Sequence, residues 1–209
     1  MAAARKQAPV VAQFDELFKA EDGSPAPPED NLGPAQLVEL AERLDISPDS
    51  QAMYLLMWRL NCQTPCAVSR TEWSQGLSQL GVTSIAGIKD VLGALKRDVN
   101  SSPQRQRAFY NFVFEWSRET PSVRSVSAEV ACALWPMVFE GRPWKWLPDW
   151  LTFIAQHQND RPVKRDVWKM TFDFAAEDLE NYSTDSSWPT AMDEFVAWLK
   201  QQGKLPAAR

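Results

Sequence analysis

Histidine and cysteine are scarce in this chain, which limits the kinds of catalytic or metal site that it can form. Its 209 residues include one histidine, His157, and three cysteines. Cys62 and Cys66 are separated by three residues without a second pair of ligands, so their spacing does not predict a zinc site. His157 follows an apolar helix face, which is typical of a partly exposed helix residue. An enzyme that uses Cys62 or Cys66 as its nucleophile stays open as an alternative, although no neighbouring residue supplies an activating base.

Loops that bind nucleotides or calcium are missing as well. Neither G-x-x-x-x-G-K-[ST] nor G-x-G-x-x-G occurs in the sequence, which leaves no basis for a glycine-rich phosphate site. The segments DGSP (22–25) and TDSS (184–187) lie between predicted helices, but they lack the alternating carboxylates and closing glutamate of a calcium loop. We therefore expect no cofactor and no bound metal.

Long apolar runs and an excess of positive charge are also absent. No apolar stretch approaches a length of about 18 residues, so the sequence predicts neither a membrane span nor a signal peptide. Ala2 stands where N-myristoylation requires glycine. The net charge is −5, and an acidic surface repels the phosphates of nucleic acids. We expect no nucleic-acid partner and no membrane partner, and a basic protein as the partner instead.

The low cysteine content also bears on location. Three cysteines without paired spacing do not form a disulfide framework, which is typical of proteins from a reducing compartment. The expected location is therefore the nucleus, the cytoplasm or both.

What the sequence does contain is a rich supply of apolar residues in helical register. Hydrophobic residues make up 44% of the chain, with ten tryptophans and ten phenylalanines. In successive segments they recur every three or four positions, as Leu37, Leu40 and Leu44 do. No segment alternates between apolar and polar residues over the length of a strand. The sequence therefore predicts an all-α protein of about nine or ten helices with short connections.

Small polar residues predict where several of these helices begin and end. Ser69 and Glu72 have the spacing of a capping box, and Gly81 suits the end of the same helix. Ser127 is the predicted N-cap of a later helix. Ser47, which is followed by proline, is the predicted N-cap of an earlier one.

The stretch from residue 165 to 200 predicts two amphipathic helices joined by a polar turn. Trp168, Phe172, Ala175 and Leu179 form the predicted apolar face of the first helix. Ser187 is the predicted N-cap of the second.

Two acids in this stretch are candidates for a partner surface. Asp166 falls near the start of the first helix and Asp193 in the first turns of the second, positions where acids complement the helix dipole. They are ordinary solvated acids or, because they adjoin buried tryptophans, part of a docking surface. Met53, Met57 and Met137 leave a similar choice, between plain core and an adaptable apolar groove.

An ordered set of segments resembles a known family. They are MYLLMWRLN (53–61), SRTEWSQG (69–76), LGVTSI (80–85), FYNFVF (109–114), GRPW (141–144), RDVW (165–168), NY (181–182), SWP (187–189) and DEF (193–195). Together they resemble the potentiating-neddylation domain of the defective-in-cullin-neddylation (DCN1-like) proteins. The resemblance implies a single domain over residues 10–202, between a flexible segment (1–9) and a flexible tail (203–209). It also implies EF-hand-like helix pairs without calcium ligands.

The resemblance also implies a function. Members of the family act as non-catalytic co-ligases that promote transfer of the ubiquitin-like modifier Nedd8 to cullins. The expected partners are a cullin C-terminal winged-helix domain, the acetylated N-terminus of the Nedd8 conjugating enzyme and, indirectly, a RING-box protein. We expect the chain itself to be a monomer.

Site residues follow from the same resemblance. The implied cullin-binding residues, which we call the acidic patch, are Asp166, Ser187 and Asp193. The implied groove for the acetylated methionine is lined by Leu37, Ala41, Met53, Leu56, Met57, Val68, Trp116, Leu134 and Met137. The alternative is a helical adaptor of another pathway, which binds an amphipathic or acetylated N-terminal helix in the same groove.

Overall fold

The computed structural model describes residues 11–17, 31–157, 161–183 and 187–206. Within these residues the all-α prediction is confirmed, with ten α-helices and four strands of two residues each. The predicted flexible segment 1–9, the DGSP loop and most of the TDSS turn lie outside the described residues. In chain order the elements are α1 (residues 11–17), β1 (Asn31–Leu32), α2 (Pro34–Leu44), α3 (Gln51–Arg59), β2 (Val68–Ser69), α4 (Arg70–Leu80), α5 (Ile85–Val99), α6 (Pro103–Trp116), β3 (Ser125–Val126), α7 (Ala128–Val138), α8 (Leu147–His157), β4 (Val163–Lys164), α9 (Arg165–Phe174), a 3-10 turn (Leu179–Asn181) and α10 (Thr190–Gln201).

The predicted domain contains two compact units, which meet in the sequence between Trp116 and Ser117. In the first unit α5 packs against α2, α3 and α6, and Trp73 is fully buried in its core. In the second unit α8 packs against α7 and α10. No helix among the described residues has the length and apolar character needed to cross a membrane.

Each unit contains a two-stranded antiparallel ribbon between the loops that precede two of its helices. In the first unit β1 pairs with β2, so that Leu32 faces Val68 immediately before α2 and α4. In the second β3 pairs with β4, and Val126 faces Val163 before α7 and α9. This arrangement confirms the EF-hand-like helix pairs. The ribbons escaped prediction because two residues are too short to display a period of two.

Two of the four predicted helix N-caps, Ser69 and Ser127, are confirmed, and the reasons are local. Ser69 Oγ accepts from the Glu72 backbone N–H at 3.2 Å, and the Glu72 carboxylate accepts from the Ser69 N–H at 2.8 Å, which closes the capping box. Ser127 Oγ accepts from the Val130 N–H at 3.1 Å at the start of α7. Gly81 ends α4 with φ of 70°, a left-handed conformation that glycine adopts without strain.

The predicted start at Ser47 was wrong. Ser50 caps α3 instead, and its Oγ accepts from the Met53 N–H at 3.4 Å. Residues 47–50 close a turn of their own, in which the Ser50 N–H and hydroxyl both donate to the Ser47 carbonyl, at 3.1 and 2.6 Å. The helix therefore begins one turn later than the serine-proline pair predicts.

Two predictions around α9 and α10 also require correction. The first helix ends at Phe174, because the N–H groups of Ala176 and Glu177 donate to carbonyls three residues back, which tightens the chain out of the α-helix. Leu179 lies beyond it in the 3-10 turn. Ser187 is not an N-cap, since α10 begins at Thr190 after Pro189. A proline disfavours helical geometry in the residue before it, so the helix cannot begin at residue 188.

The chain packs against the second unit beyond α10. Leu205 is buried, and the Lys204 ammonium pairs with the Asp149 carboxylate in α8. Any flexible tail therefore begins after these residues rather than at residue 203, and residues 207–209 lie outside the described part of the chain.

Gly76 permits a close approach between α4 and the end of α3. A Cβ atom at this position would stand 2.6 Å from Cδ2 and 2.7 Å from Cα of Leu60. The second of these neighbours is backbone, which cannot yield by changing a rotamer. Gly93, in the middle of α5, is different, since a Cβ there would meet one atom of a flexible arginine at 3.6 Å.

We predict opposite effects for Gly76→Ala and Gly93→Ala. Gly76→Ala should lower the free energy of unfolding by about 1–3 kcal/mol, because the helices must separate to admit the methyl group. Gly93→Ala, the matched control, should raise it by about 0.5–1 kcal/mol, because alanine favours a helix interior. Urea unfolding of both variants measures the two changes. Equal effects at the two positions would contradict the close approach.

Candidate functional site

The acidic patch lies entirely in the second unit. Asp166 is exposed in the first turn of α9, and Asp193 is half-buried in the first turn of α10. Ser187 is exposed three residues before α10 begins. The ribbon fixes the start of α9, where the Arg165 N–H donates to the Arg124 carbonyl at 3.3 Å. Both acids thus stand near the positive end of a helix, where a carboxylate is favoured.

A cluster of aromatic rings supports the helices that carry these acids. Trp168 of α9 stacks on Trp135 of α7 with ring centroids 5.4 Å apart and planes within 12°. Trp150 of α8 meets Trp135 edge-on at 5.5 Å and Phe195 of α10 edge-on at 5.1 Å. Such ring pairs add stabilisation beyond the burial of their area. They therefore hold α9 and α10 at fixed positions against the same core.

Tyr182 holds the Asp193 carboxylate in place. Its hydroxyl donates to Asp193 Oδ1 at 2.6 Å. The Tyr182 ring packs edge-on against the Phe174 ring, with centroids 5.9 Å apart. The Trp188 ring also packs edge-on against Phe174, with centroids 5.5 Å apart. Burial raises the pKa of the Tyr182 phenol, and the hydrogen bond to Asp193 raises it further. The phenol therefore stays a proton donor at physiological pH.

The role of Tyr182 was not predicted. The sequence carries it only as part of the NY pair in the family resemblance, and a contact across eleven positions leaves no local signal. One consideration could have suggested this role: a tyrosine beside buried rings needs a hydrogen-bond partner for its hydroxyl.

The two acids stand in the first turns of different helices. Asp166 and Phe174 stand eight residues apart in α9, which places them about 12 Å apart along the helix axis. Asp193 lies at the Phe174 end, where Tyr182 binds it and the Phe195 ring packs at 6.2 Å from Phe174. Among the residues that the structure describes, no group of three or more histidine, cysteine or acidic side chains is arranged to hold a metal ion.

The predicted groove residues divide between the two units. Seven lie in the first unit, and Leu134 and Met137 lie in α7 of the second. The first-unit members are at most 5% exposed and lie in its hydrophobic interior. Met137 is half-buried. The groove thus stays a prediction, and its first-unit members are part of the core.

The indole N–H of Trp116 is among the buried polar groups that have no hydrogen-bond partner within the described residues. Trp116 Nε1 is buried, and the residues that the structure describes give it no hydrogen-bond acceptor. The Trp116 ring itself is well packed, edge-on to Tyr54 at 5.3 Å and stacked on Phe112 at 6.1 Å. A buried N–H without an acceptor costs about 1–3 kcal/mol, so an acceptor that reached it would be bound favourably.

Cys62 and Cys66 have raised thiol pKa values, whereas an activated nucleophile has a lowered one. Burial raises the pKa of the Cys62 thiol, and the Glu72 carboxylate raises it further. Burial of its sulfur likewise raises the pKa of Cys66, whose Sγ lies 3.7 Å from the Trp116 carbonyl oxygen. Activated cysteines have a lowered thiol pKa, so both thiols are protonated at neutral pH. His157 is exposed and stacks on Phe153 at 5.2 Å.

Taken together, the described residues form an all-helical protein of two compact units, and the second unit carries the two acids of the predicted acidic patch. The model of the family described as cullin binding matches residues 87–198, more than half of the chain. This match covers the whole acidic patch. The chain therefore belongs to the cullin-binding family, that of the potentiating-neddylation domain.

Several curated relatives are named DCN1-like protein 3. The chain is 28% identical to that of Drosophila melanogaster over 164 residues, which are 78% of this chain and 49% of the relative. It is 30% identical to that of Homo sapiens over 166 residues, 77% of this chain and 54% of the relative. The match to that of Xenopus laevis is 26% over 199 residues, 93% of this chain and 64% of the relative. The chain spans about half the length of the fly and human relatives.

We predict an energetic coupling between Tyr182 and Asp193. In a double-mutant cycle of Tyr182→Phe and Asp193→Ala, the coupling free energy should be about 1–2 kcal/mol, because the hydrogen bond joins a phenol to a charged carboxylate. Urea unfolding of the four proteins measures it. A control cycle pairs Tyr182→Phe with Glu129→Ala, an exposed acid in the first turn of α7. Its coupling should be near zero, and equal couplings in both cycles would refute the contact.

Proposed function

We propose that this protein is a scaffold co-ligase that binds a cullin C-terminal domain and the Nedd8 conjugating enzyme and promotes transfer of Nedd8 to the cullin. The observation that carries the proposal is the family match over residues 87–198, which includes the whole acidic patch. The positions of Asp166 and Asp193 in the first turns of two helices support it. A partner with lysine or arginine at matching positions would be attracted and oriented by such a surface.

The proposed role of Asp193 rests on its fixed position. A carboxylate held by Tyr182 at 2.6 Å loses little conformational freedom when a cation of the cullin approaches. Ser187, a small exposed residue beside Trp188, leaves room for a close approach of the partner's backbone. Asp166 then provides a second point of contact, which sets the partner's orientation.

The proposed site for the conjugating enzyme is the predicted groove, seven of whose nine residues lie in the apolar interior of the first unit. Burying a charged N-terminal ammonium in such surroundings costs several kcal/mol, and acetylation removes that charge. Met53 and Met57, which are unbranched and flexible, are suited to open a path for an incoming methionine. The unpartnered Trp116 N–H is a candidate donor to the acetyl carbonyl.

In this proposal the chain supplies no reacting group. The raised pKa values of Cys62 and Cys66 make both thiols poor nucleophiles. The reactive cysteine belongs to the conjugating enzyme, which a RING-box protein activates. The co-ligase contributes position and effective concentration, which lower the barrier by avoiding the entropy cost of bringing two partners together.

We predict that Asp193→Lys abolishes binding to a cullin C-terminal winged-helix domain, because it places a cation against the partner's cations. The matched control is Glu129→Lys, which changes the net charge equally from another first-turn position. Calorimetric titration compares the wild type with both variants, and thermal unfolding checks that each is folded.

Retained cullin affinity in folded Asp193→Lys would remove the acidic patch from the interface. Absence of wild-type binding to any cullin would favour the other interpretation, a helical adaptor that uses the apolar groove for another pathway.

We also predict that the chain distinguishes acetylated from free N-termini. A peptide of the conjugating enzyme's N-terminus should bind at least about tenfold more tightly when it is acetylated, because the free ammonium must be desolvated. Trp116→Phe should reduce this ratio, since it removes the N–H donor while keeping an aromatic ring. Fluorescence polarisation with the two peptides measures both ratios. Equal affinities for the two peptides in the wild type would exclude the acetyl-methionine groove.

A further inference from the structure

A cleft of about 580 Å³ opens beside Asp166 in the second unit. Its walls come from the β3–β4 ribbon and the first turns of α9. Four cations line it, namely Arg124, Lys164, Arg165 and Lys169. The volume lies within the range of about 300–1,000 Å³ typical of ligand sites. The cleft is broadly open to solvent, so a segment of another protein could reach its walls.

The charge of the cleft is opposite to that of the chain. Four cations and Asp166 leave a local excess of three positive charges, whereas the whole chain has a net charge of −5. Within the residues that the structure describes, Arg124, Lys164 and Lys169 form no ion pair. All three side chains are exposed. Their charge is therefore available to an anionic partner.

The backbone adds to this potential. Lys164 is the N-cap residue of α9, and its side chain makes no cap hydrogen bond. A lysine offers no acceptor, so the first N–H groups of α9 have no side-chain cap. The positive end of the helix dipole consequently reinforces the four cations along the same wall.

We propose that this basic cleft binds an acidic segment of the same cullin C-terminal domain that Asp166 engages. The inference rests on the function proposed above. The shared residue is Asp166, which belongs to the acidic patch and also lines the cleft. A protein that contacts both Asp166 and the basic cleft must present a cation next to a group of carboxylates.

The distribution of charge favours a peptide over a dense polyanion. The cations extend from the end of the ribbon to Lys169, one turn into α9, so they suit several separate carboxylates. A nucleic acid or an anionic membrane would instead bring a continuous negative charge against Asp166 and against the acidic remainder of the chain. A mixed segment of a protein satisfies both signs at once.

The test is calorimetric titration of the full chain with a cullin C-terminal winged-helix domain at low and at physiological salt. The variants are Lys169→Glu and Arg124→Glu, with Arg97→Glu as the matched control. Arg97 is an exposed cation in the last turn of α5, in the first unit, and its reversal changes the net charge equally. Asp193→Lys is included to report on the acidic patch, and thermal unfolding confirms that every variant is folded.

We expect each cleft variant to raise Kd by about tenfold and the Arg97 variant to leave it within about twofold. The effect should shrink as salt rises, since screening weakens exposed charges. Reversal of a cullin aspartate or glutamate to lysine should restore the affinity of Lys169→Glu, which a merely structural role of Lys169 would not allow.

The outcomes separate the two proposals. Unchanged affinity in the cleft variants, with binding lost in Asp193→Lys, would overturn the cleft and leave the proposed function in place. No binding by the wild type would overturn both. Wild-type binding to phosphatidylserine vesicles that Lys169→Glu loses, with cullin affinity unchanged, would assign the cleft to a membrane surface and overturn the cullin segment.

Discussion

The stacking of Trp168 on Trp135 is the contact on which the proposed partner surface of the second unit depends. It joins α9 to α7, and the edge contacts of Trp150 with Trp135 and Phe195 extend the same packing to α10. Neither acid of the patch takes part in this core, yet both are positioned by it. A surface made of exposed charges has little rigidity of its own, so its geometry derives from the buried rings beneath.

What could be predicted from the sequence was what a few neighbouring residues decide. The capping box of Ser69 and Glu72 depends on two side chains three residues apart, so its spacing is legible. Ser187 misled because a serine before a helix is a common cap, while the proline two residues later excluded helical geometry between them. The contact of Tyr182 with Asp193 and the basic cleft depend on tertiary packing, which no short spacing records.

The apolar groove shows a limit of another kind. Met53 and Met57 were open to two interpretations, core or groove, and their near-complete burial does not choose between them. A site that is closed in the absence of its ligand looks like core. If the open form is a minor state, the apparent affinity of an acetylated peptide is reduced by the fraction that is open. In the proposed complex, flexible methionines would lower the energy of opening. The Trp116 N–H, which has no acceptor among the described residues, would then gain a contact with the peptide.

A surface that carries both signs of charge selects its partner differently from a purely acidic one. Acidic residues alone attract any basic protein, and basic residues alone attract any polyanion. When a cleft with four cations adjoins Asp166, a uniformly basic partner is repelled by the cleft and a uniformly acidic one by the patch. The partner must place its positive and its negative charges opposite their counterparts at the same time. This requirement fixes the partner's orientation as well as its identity. In the proposed function, orientation is what a scaffold without a reacting group would supply, since its contribution to the reaction would be the placement of two other proteins.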